Sequence, residues 1–444
     1  MTKEQFTIID TMAYRAKALY NTSLYEVNKY YNDYKNGIRN TYMNAKGEKK
    51  EKGSYIGYID LDKKIKNTID DQGNIVYKSL PSSIAQQTIK KLDKNYSSFF
   101  ALLSKKQNND YDKSIDTPMY KRKDSRKELI YTKSKTSQSF ICKDGYLFFT
   151  VSKDLYKGRL KLTKMPKYID FSTVKYIEII PKLNSYEMHI TYEIEEKDIN
   201  TDAKNFYSID LGMNNLCTIV SNVHRPVIMN GRSIKSINQK YNKRIAKEKS
   251  KLNVGTYTSK TIQKLYSTRG YKLNNEIHKI TDFIIKSIED NDIDHIVIGY
   301  NKEWKTNIKL GKKTYYNFIQ IPFSKILNQL EYKCKELGIG VHLQEESYTS
   351  KCSYIDNEEV KRHKTYKGNR NKRGLFSSKE GIYINADVNG SLNIYRKFIQ
   401  KIQDKEVYDV LSVPVDTGFV MNPIKINLRT SMSRDEVNKL LLLI

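Results

Sequence analysis

The chain has 444 residues, room for about two to four domains with cores of their own, and sets 78 Lys+Arg against 50 Asp+Glu for a formal net charge of +28. Interleaved with 35 Tyr, that excess fits a polyanionic partner, because rings stack on bases while cations take phosphates. No apolar run approaches a membrane span, Met1 leads into a mixed helix without a signal-peptide core, and the scattered Cys142, Cys217, Cys334 and Cys352 form neither a CxxC pair nor a disulfide framework; a cytoplasmic protein with no membrane partner is expected.

Taken in order, residues 3–33 read as helix, with Phe6, Met12, Ala16, Leu19, Tyr20 and Leu24 near helical spacing. Residues 36–54 are basic, glycine-containing and poor in apolar side chains, and read as loop. Pro81-Ser82-Ser83 opens a stronger helix, in which Ile84, Thr88, Leu92, Tyr96, Phe99 and Leu103 recur every three or four residues. Its outward Lys90, Lys91 and Lys94 suit solvent as well as RNA. Beyond Pro118 the period becomes that of strands. Tyr146-Leu147-Phe148-Phe149-Thr150-Val151 is a strand, and 186–194 alternates strictly and pairs back onto 176–180 through Leu183-Asn184-Ser185. This predicts an antiparallel, barrel-like unit that ends near Asn200.

A different domain then begins. Tyr207-Ser208-Ile209-Asp210-Leu211-Gly212 is an apolar run that stops at a carboxylate and turns on a glycine, the pattern of a buried strand delivering Asp210 to a sheet edge. A basic helix follows over 233–252, then an amphipathic one over 272–290 with Leu273, Ile277, Ile280, Ile284 and Ile288 on one stripe. His295-Ile296-Val297-Ile298-Gly299 is a buried strand, Phe323, Ile326, Leu330, Cys334 and Leu337 mark another helix, and Val341-His342-Leu343-Gln344-Glu345-Glu346 is a strand with an acidic end. Asn385-Ala386-Asp387-Val388-Asn389-Gly390 places a last carboxylate at the mouth of a helix. Strands and helices in this alternation make an α/β domain with ligands at strand ends. Each aspartate alone reads first as a turn or helix cap; as a pair brought together by folding, they suit divalent metals for phosphodiester hydrolysis.

The motifs in this order, Ser208-Ile209-Asp210-Leu211-Gly212, Ile296-Val297-Ile298-Gly299-Tyr300-Asn301-Lys302, Tyr348-Thr349-Ser350-Lys351-Cys352-Ser353 and Asn385-Ala386-Asp387-Val388-Asn389-Gly390, resemble the TnpB proteins of bacterial transposons, relatives of type V CRISPR effectors. The likeness covers about 80–396. It implies an α+β multidomain chain: a helical recognition lobe (1–130), a β-barrel wedge domain (131–200), an RNase H-like, RuvC-like nuclease domain (201–346) closed by a last helix (386–399), a degenerate zinc-ribbon-like insert (347–385) and a C-terminal tail (400–444). It also implies an RNA-guided DNA endonuclease, with a guide RNA encoded near or overlapping its own gene, target DNA with a short adjacent motif, and Mg²⁺ or Mn²⁺ as the working ion. Asp210 and Asp387 match the family's first and last acids. The resemblance also places the protein in the bacterial cytoplasm, at the nucleoid when bound to DNA.

The sequence departs from the family at its middle acid, where Gly299 stands, and at its zinc ribbon, where Ile355, Ser377 and Glu380 replace three of the cysteines. Cys352 with a nearby His363 is too few ligands, so no zinc is expected. Glu345-Glu346 ends the neighbouring strand. Because strand residues alternate in direction, and Glu346 follows polar His342 and Gln344 as Asp210 follows polar Ser208, Glu346 is the expected third catalytic and metal-binding acid, with Glu345 in reserve. Lys240, Lys243, Arg244 and Lys247 of the basic helix, with Arg370 and Arg373 of the insert, are the expected nucleic-acid contacts. Two other functions stay open: a nuclease-dead relative that binds guided DNA as a repressor, and a general basic RNA-binding protein.

Overall fold

The computed structural model describes residues 1–39, 41–43, 49–51, 53–69, 75–133, 138–183, 185–199, 205–301, 320–372, 374–403 and 422–427. Arg373 and most of the tail therefore lie outside the described residues. Among these residues no helix is long and apolar enough to cross a membrane. The chain divides into two compact units, Met1–Ile194 and Glu195–Ile444.

In the first unit, α1 (Lys3–Lys35) begins at a capping box, Thr2 accepting from the Gln5 amide while the Gln5 side chain accepts from the Thr2 amide. The stretch 36–54, expected as loop, contains a short hairpin of β1 (Thr41–Met43) and β2 (Lys49–Glu51). Its strands are three residues each, too short for an alternating pattern to stand out in the sequence. After α2 (Tyr58–Ile65) comes α3 (Ser82–Gln107). β3 (Leu129–Thr132), β7 (Val174–Pro181) and β8 (Tyr186–Tyr192) form one antiparallel sheet; β4 (Phe140–Lys143), β5 (Tyr146–Thr150) and β6 (Arg159–Lys164) form another. The antiparallel unit expected as barrel-like consists of two three-stranded ladders, whose inward side chains Leu129, Tyr131, Leu147, Phe149 and Ile177 share one core with Met12, Leu19, Ile84 and Leu92 of the helices.

The second unit is built on a six-stranded mixed sheet of order β13-β12-β9-β10-β11-β17. β9 (Phe206–Leu211), β10 (Asn215–Ser221) and β11 (Val227–Asn230) run as an antiparallel meander. α4 (Arg232–Lys249) and α5 (Lys260–Asp290) follow, then β12 (His295–Tyr300), α6 (Phe323–Leu337) and β13 (Gly340–Glu345). β12 is parallel to both β9 and β13. The strands β10 and β11 were not anticipated, because Asn215–Asn230 carries apolar residues on both faces and lacks the alternation that marks a half-exposed hairpin. α5 starts twelve residues earlier than its stripe indicated, at Ser259, whose side chain accepts from the Ile262 amide. The insert carries a small sheet of β14 (Asn369–Lys372), β15 (Leu375–Ser377) and β16 (Tyr383–Asn385), and β16 leads straight into α7 (Ala386–Gln403). β17 (Ile424–Ile426) pairs in parallel with β11.

The sheet has two unlike faces. Tyr207, Ile209, Leu211, Ile296 and Ile298 point into a large apolar core with α4, α5 and α6. Phe206 and Val297 point the other way, into a smaller core with Leu392, Ile394 and Tyr395 of α7. On this second face His342 rests against the Phe398 ring and accepts or donates a hydrogen bond at 3.0 Å to His295. Burial, and then the neighbouring His295, pull the His342 pKa down to about 4. A folded pKa below the unfolded value near 6.5 means that the unfolded chain binds the extra proton, so this group's contribution is full above about pH 6.5 and is lost as the pH falls toward 4. Thermal melts from pH 7 to 4 are expected to show a flatter acid decline for His342→Gln than for the parent; parallel curves would rule this out.

Candidate active site

α7 lies antiparallel along β9, and each outward residue of the strand meets one turn of the helix. Phe206 stacks flat on Tyr395, with centroids 3.4 Å apart and planes at 5°. Two residues on, Ser208 Oγ donates to the Ser391 carbonyl at 2.6 Å, and Ser391 Oγ donates back to the Ser208 carbonyl at 2.8 Å. Two further on stands Asp210, opposite Gly390, where a Cβ would lie 2.9 Å from Asp210 Oδ2. Alternation along the strand and the helical repeat thus deliver Asp210 to the N-terminal end of α7.

Asp387 occupies the first turn of that helix. The Asn385 side chain caps it, accepting from the Asp387 amide at 3.0 Å and the Val388 amide at 3.3 Å. Asn215, just past the turn after Asp210, donates to Asp387 Oδ2 at 2.6 Å. Arg370 Nη2 donates to Asp387 Oδ1 at 3.1 Å. The sequence reading attached no role to Asn215; its only signal was its place beside the strand-end acid.

Glu346 directly follows β13. β12 lies between β9 and β13, and Gly299 sits on its α7 face: a Cβ there would meet Ile394 Cδ1 at 2.6 Å and Glu346 Oε2 at 3.2 Å. The space left by the absent side chain is where the Glu346 carboxylate reaches toward the middle strand. Glu345 faces away. Its carboxylate pairs with Lys397 Nζ at 2.5 Å and accepts from the Ser347 amide and hydroxyl at 2.7 Å each, so the structure does not bring this reserve residue to the site.

Asp210 keeps some exposed surface, yet its carboxyl is ringed densely by protein. Burial first, then the charges of Glu346 and Asp387, push its pKa up to about 8, with Arg370 opposing. Three acids therefore share one electrostatic neighbourhood. Among the described residues no three acidic, His or Cys side chains are drawn tightly enough together to form a finished metal cage; both Asp387 oxygens are engaged by Asn215 and Arg370.

Of the expected nucleic-acid contacts, Lys240, Lys243, Arg244 and Lys247 are exposed on α4, while Ile234, Ile237, Tyr241 and Ile245 face the core. Arg370 is exposed as well, and its guanidinium also reaches Asp387. In the insert, Cys352 Sγ donates to the Lys361 carbonyl at 3.5 Å and the His363 ring bonds the Glu359 carbonyl at 2.8 Å. The buried Glu358 carboxylate ties the loops together instead, accepting from the Ser353 amide at 2.8 Å and the Lys367 amide at 3.0 Å. α7 holds the insert by residues spaced for one helix face: Asn389 donates to the Cys352 carbonyl, Asn393 to the carbonyls of Thr349 and Cys352, and Arg396 to those of Tyr354 and Glu358.

Comparison with known proteins finds likenesses for two segments and for most of the chain. Residues 189–305 match a family described as a probable transposase (OrfB_IS605), and residues 323–394 match the TNB domain of Cas12f1-like proteins. The TnpB-like protein ORF457 of Acidianus two-tailed virus is 25% identical over 391 residues, covering 79% of each chain. In these comparisons the chain resembles TnpB-like and Cas12f1-like proteins. Its fold is similar to that of the protein in a Cas12f1-sgRNA-target DNA complex, with a TM-score of 0.53 at 16% identity over 88% of this chain and 82% of that one.

Asn393 donates to the buried Thr349 and Cys352 carbonyls, the second of which Asn389 also serves. Asn393→Ala is expected to destabilise the second unit by about 1–3 kcal/mol, the cost of leaving a buried acceptor at Thr349 without this donor, and to speed amide exchange in 349–354. Unchanged exchange there would show that the insert is held by other contacts.

Proposed function

We propose that the protein is a guide-RNA-directed DNA endonuclease, with Asp210, Glu346 and Asp387 as its acidic triad and Glu346 standing in for the acid missing at Gly299. The observation that carries this reading is the Glu346 carboxylate over Gly299, close enough to Asp210 to raise its pKa together with Asp387. An acid moved to the adjacent parallel strand is useful only if the intervening position has no side chain, and Gly299 meets that condition.

The donor set, three carboxylates without thiol or imidazole, fits a hard divalent cation such as Mg²⁺, and crowded like charges at a buried carboxyl are what a cation relieves. Such an ion would activate water and stabilise the leaving oxygen of an in-line displacement. The protein's own groups supply the positioning. The Ser208–Ser391 pair fixes the distance between strand and helix, Asn215 and Asn385 orient Asp387, and Arg370 brings a guanidinium to the point where a phosphate would sit. The exposed cations of α4 suit a nucleic-acid backbone. On this reading the guide is RNA made beside the protein's own gene, and the insert needs no zinc because Glu358 takes over its cross-linking.

The repressor reading rested on the loss of the middle acid, and a neighbouring-strand acid at the site removes its main support. The test is guided cleavage in Mg²⁺ by protein purified with its bound RNA, with target binding measured in parallel. Asp210→Asn, Asp387→Asn and Glu346→Gln are expected to cut at least about 100-fold more slowly, about 2.7 kcal/mol of barrier, without loss of binding, while Glu345→Gln cuts at the parent rate. Parent-like cutting by Glu346→Gln would sink the relocated acid; a parent that binds and never cuts would restore the repressor.

A further inference from the structure

Beside the acids lies a second, larger cavity, of about 510 Å³, within the range of small-ligand sites. Its wall is formed by the turn after β9, the end of β11, the start of α4, the Asn385 cap and β17. Arg232, Lys235 and Lys425 line it from two separate parts of the chain, and no acidic side chain does. The remaining polar lining is carboxamide, Asn214, Asn215 and Asn230 among them. Asn214 accepts from Lys235 Nζ, and the α4 N-terminus, whose Gly231 cap offers no side-chain acceptor, opens beside it.

The chemistry is that of a nucleotide. Cations without neighbouring acids take a phosphate, and carboxamides, which donate and accept at once, suit the mixed edge of a base. The cavity is also tied to the acids: Asn214 and Asn215 line both it and the 200 Å³ cleft that holds Arg370 and Asp387, and Asn215 donates to Asp387.

We infer that this cavity receives a nucleotide of the DNA strand held at the acids, adjoining the one that lies over them, its phosphate on Arg232 and Lys425 and its base against the asparagines. The inference rests on the nuclease reading for its substrate class. It assigns the pocket the task of fixing the strand's register over the acids, so that Arg232 and Lys425 are positioning residues.

The test uses protein carrying its copurified RNA and the Asp210→Asn substitution to prevent cutting. A short oligodeoxythymidylate with one 4-thiothymidine is photo-crosslinked, and the attachment sites are mapped by mass spectrometry. Crosslinks are expected within 227–235 and 422–427, lost in Arg232→Ala/Lys425→Ala and kept in Lys425→Arg. The salt dependence of binding should flatten by about 0.7 in log–log slope for each phosphate contact removed. With Asp210 intact, the double variant should cut about tenfold or more slowly, since a misplaced strand loses its attack geometry. Crosslinks only elsewhere, or an unchanged slope and rate in the double variant, overturn the pocket while leaving the nuclease reading intact. Crosslinks at the cavity in a parent that never cuts sink the nuclease reading and leave the pocket standing.

Discussion

The contact on which the second unit depends is the seam between β9 and α7. Two serines exchange hydrogen bonds with each other's backbone across it, and a tyrosine lies flat on a phenylalanine one step away. Both pairs are buried, and a buried polar group left without its partner costs about 1–3 kcal/mol, so the register of strand against helix is strongly fixed. Everything at the acids follows from that register. Asp210 must meet the helix at Gly390, where even a methyl group would press on its carboxylate, and Asp387 must stand one turn nearer the helix start.

The same seam bears on the glycine near the end of the middle strand. Ile394 of α7 packs down on Gly299 and the Glu346 carboxylate approaches from the other side. Two neighbours already fill the space a side chain would take. The result is a site with its negative charge crowded and partly desolvated, in a chain whose overall charge is strongly positive. Local repulsion of this kind persists only when surrounding packing over-determines it, and the reciprocal serine pair and the capping Asn385 supply that packing.

The insert is tied to the rest of the second unit by buried polar side chains. Forty residues with one buried thiol have too little apolar surface for a core of their own. Here a buried carboxylate bridges two loop amides, and three polar side chains of α7 bond the loop carbonyls. The asparagines of the Asn385–Gly390 motif and its continuation are thereby divided between capping the helix and stapling the insert, and Asp387 alone faces the cleft.

Much of this was legible in the sequence. The periods of α1, α3, α5 and α6 marked helices, the run into Asp210 marked a buried strand, and polar alternation in 342–346 separated Glu346 from Glu345, because side-chain direction along a strand is a local property of the backbone. The hairpin at 41–51, the strands β10 and β11, and the two separate ladders of the first unit were not legible. Short or doubly buried strands lose the alternation that reveals them. Nor could any local pattern tell that Arg370, seventeen residues before Asp387, would sit on that carboxylate, or that Lys425 would line a cavity with Arg232. Those proximities come from the order of strands in the sheet and the way α7 crosses it, and long-range packing sets both.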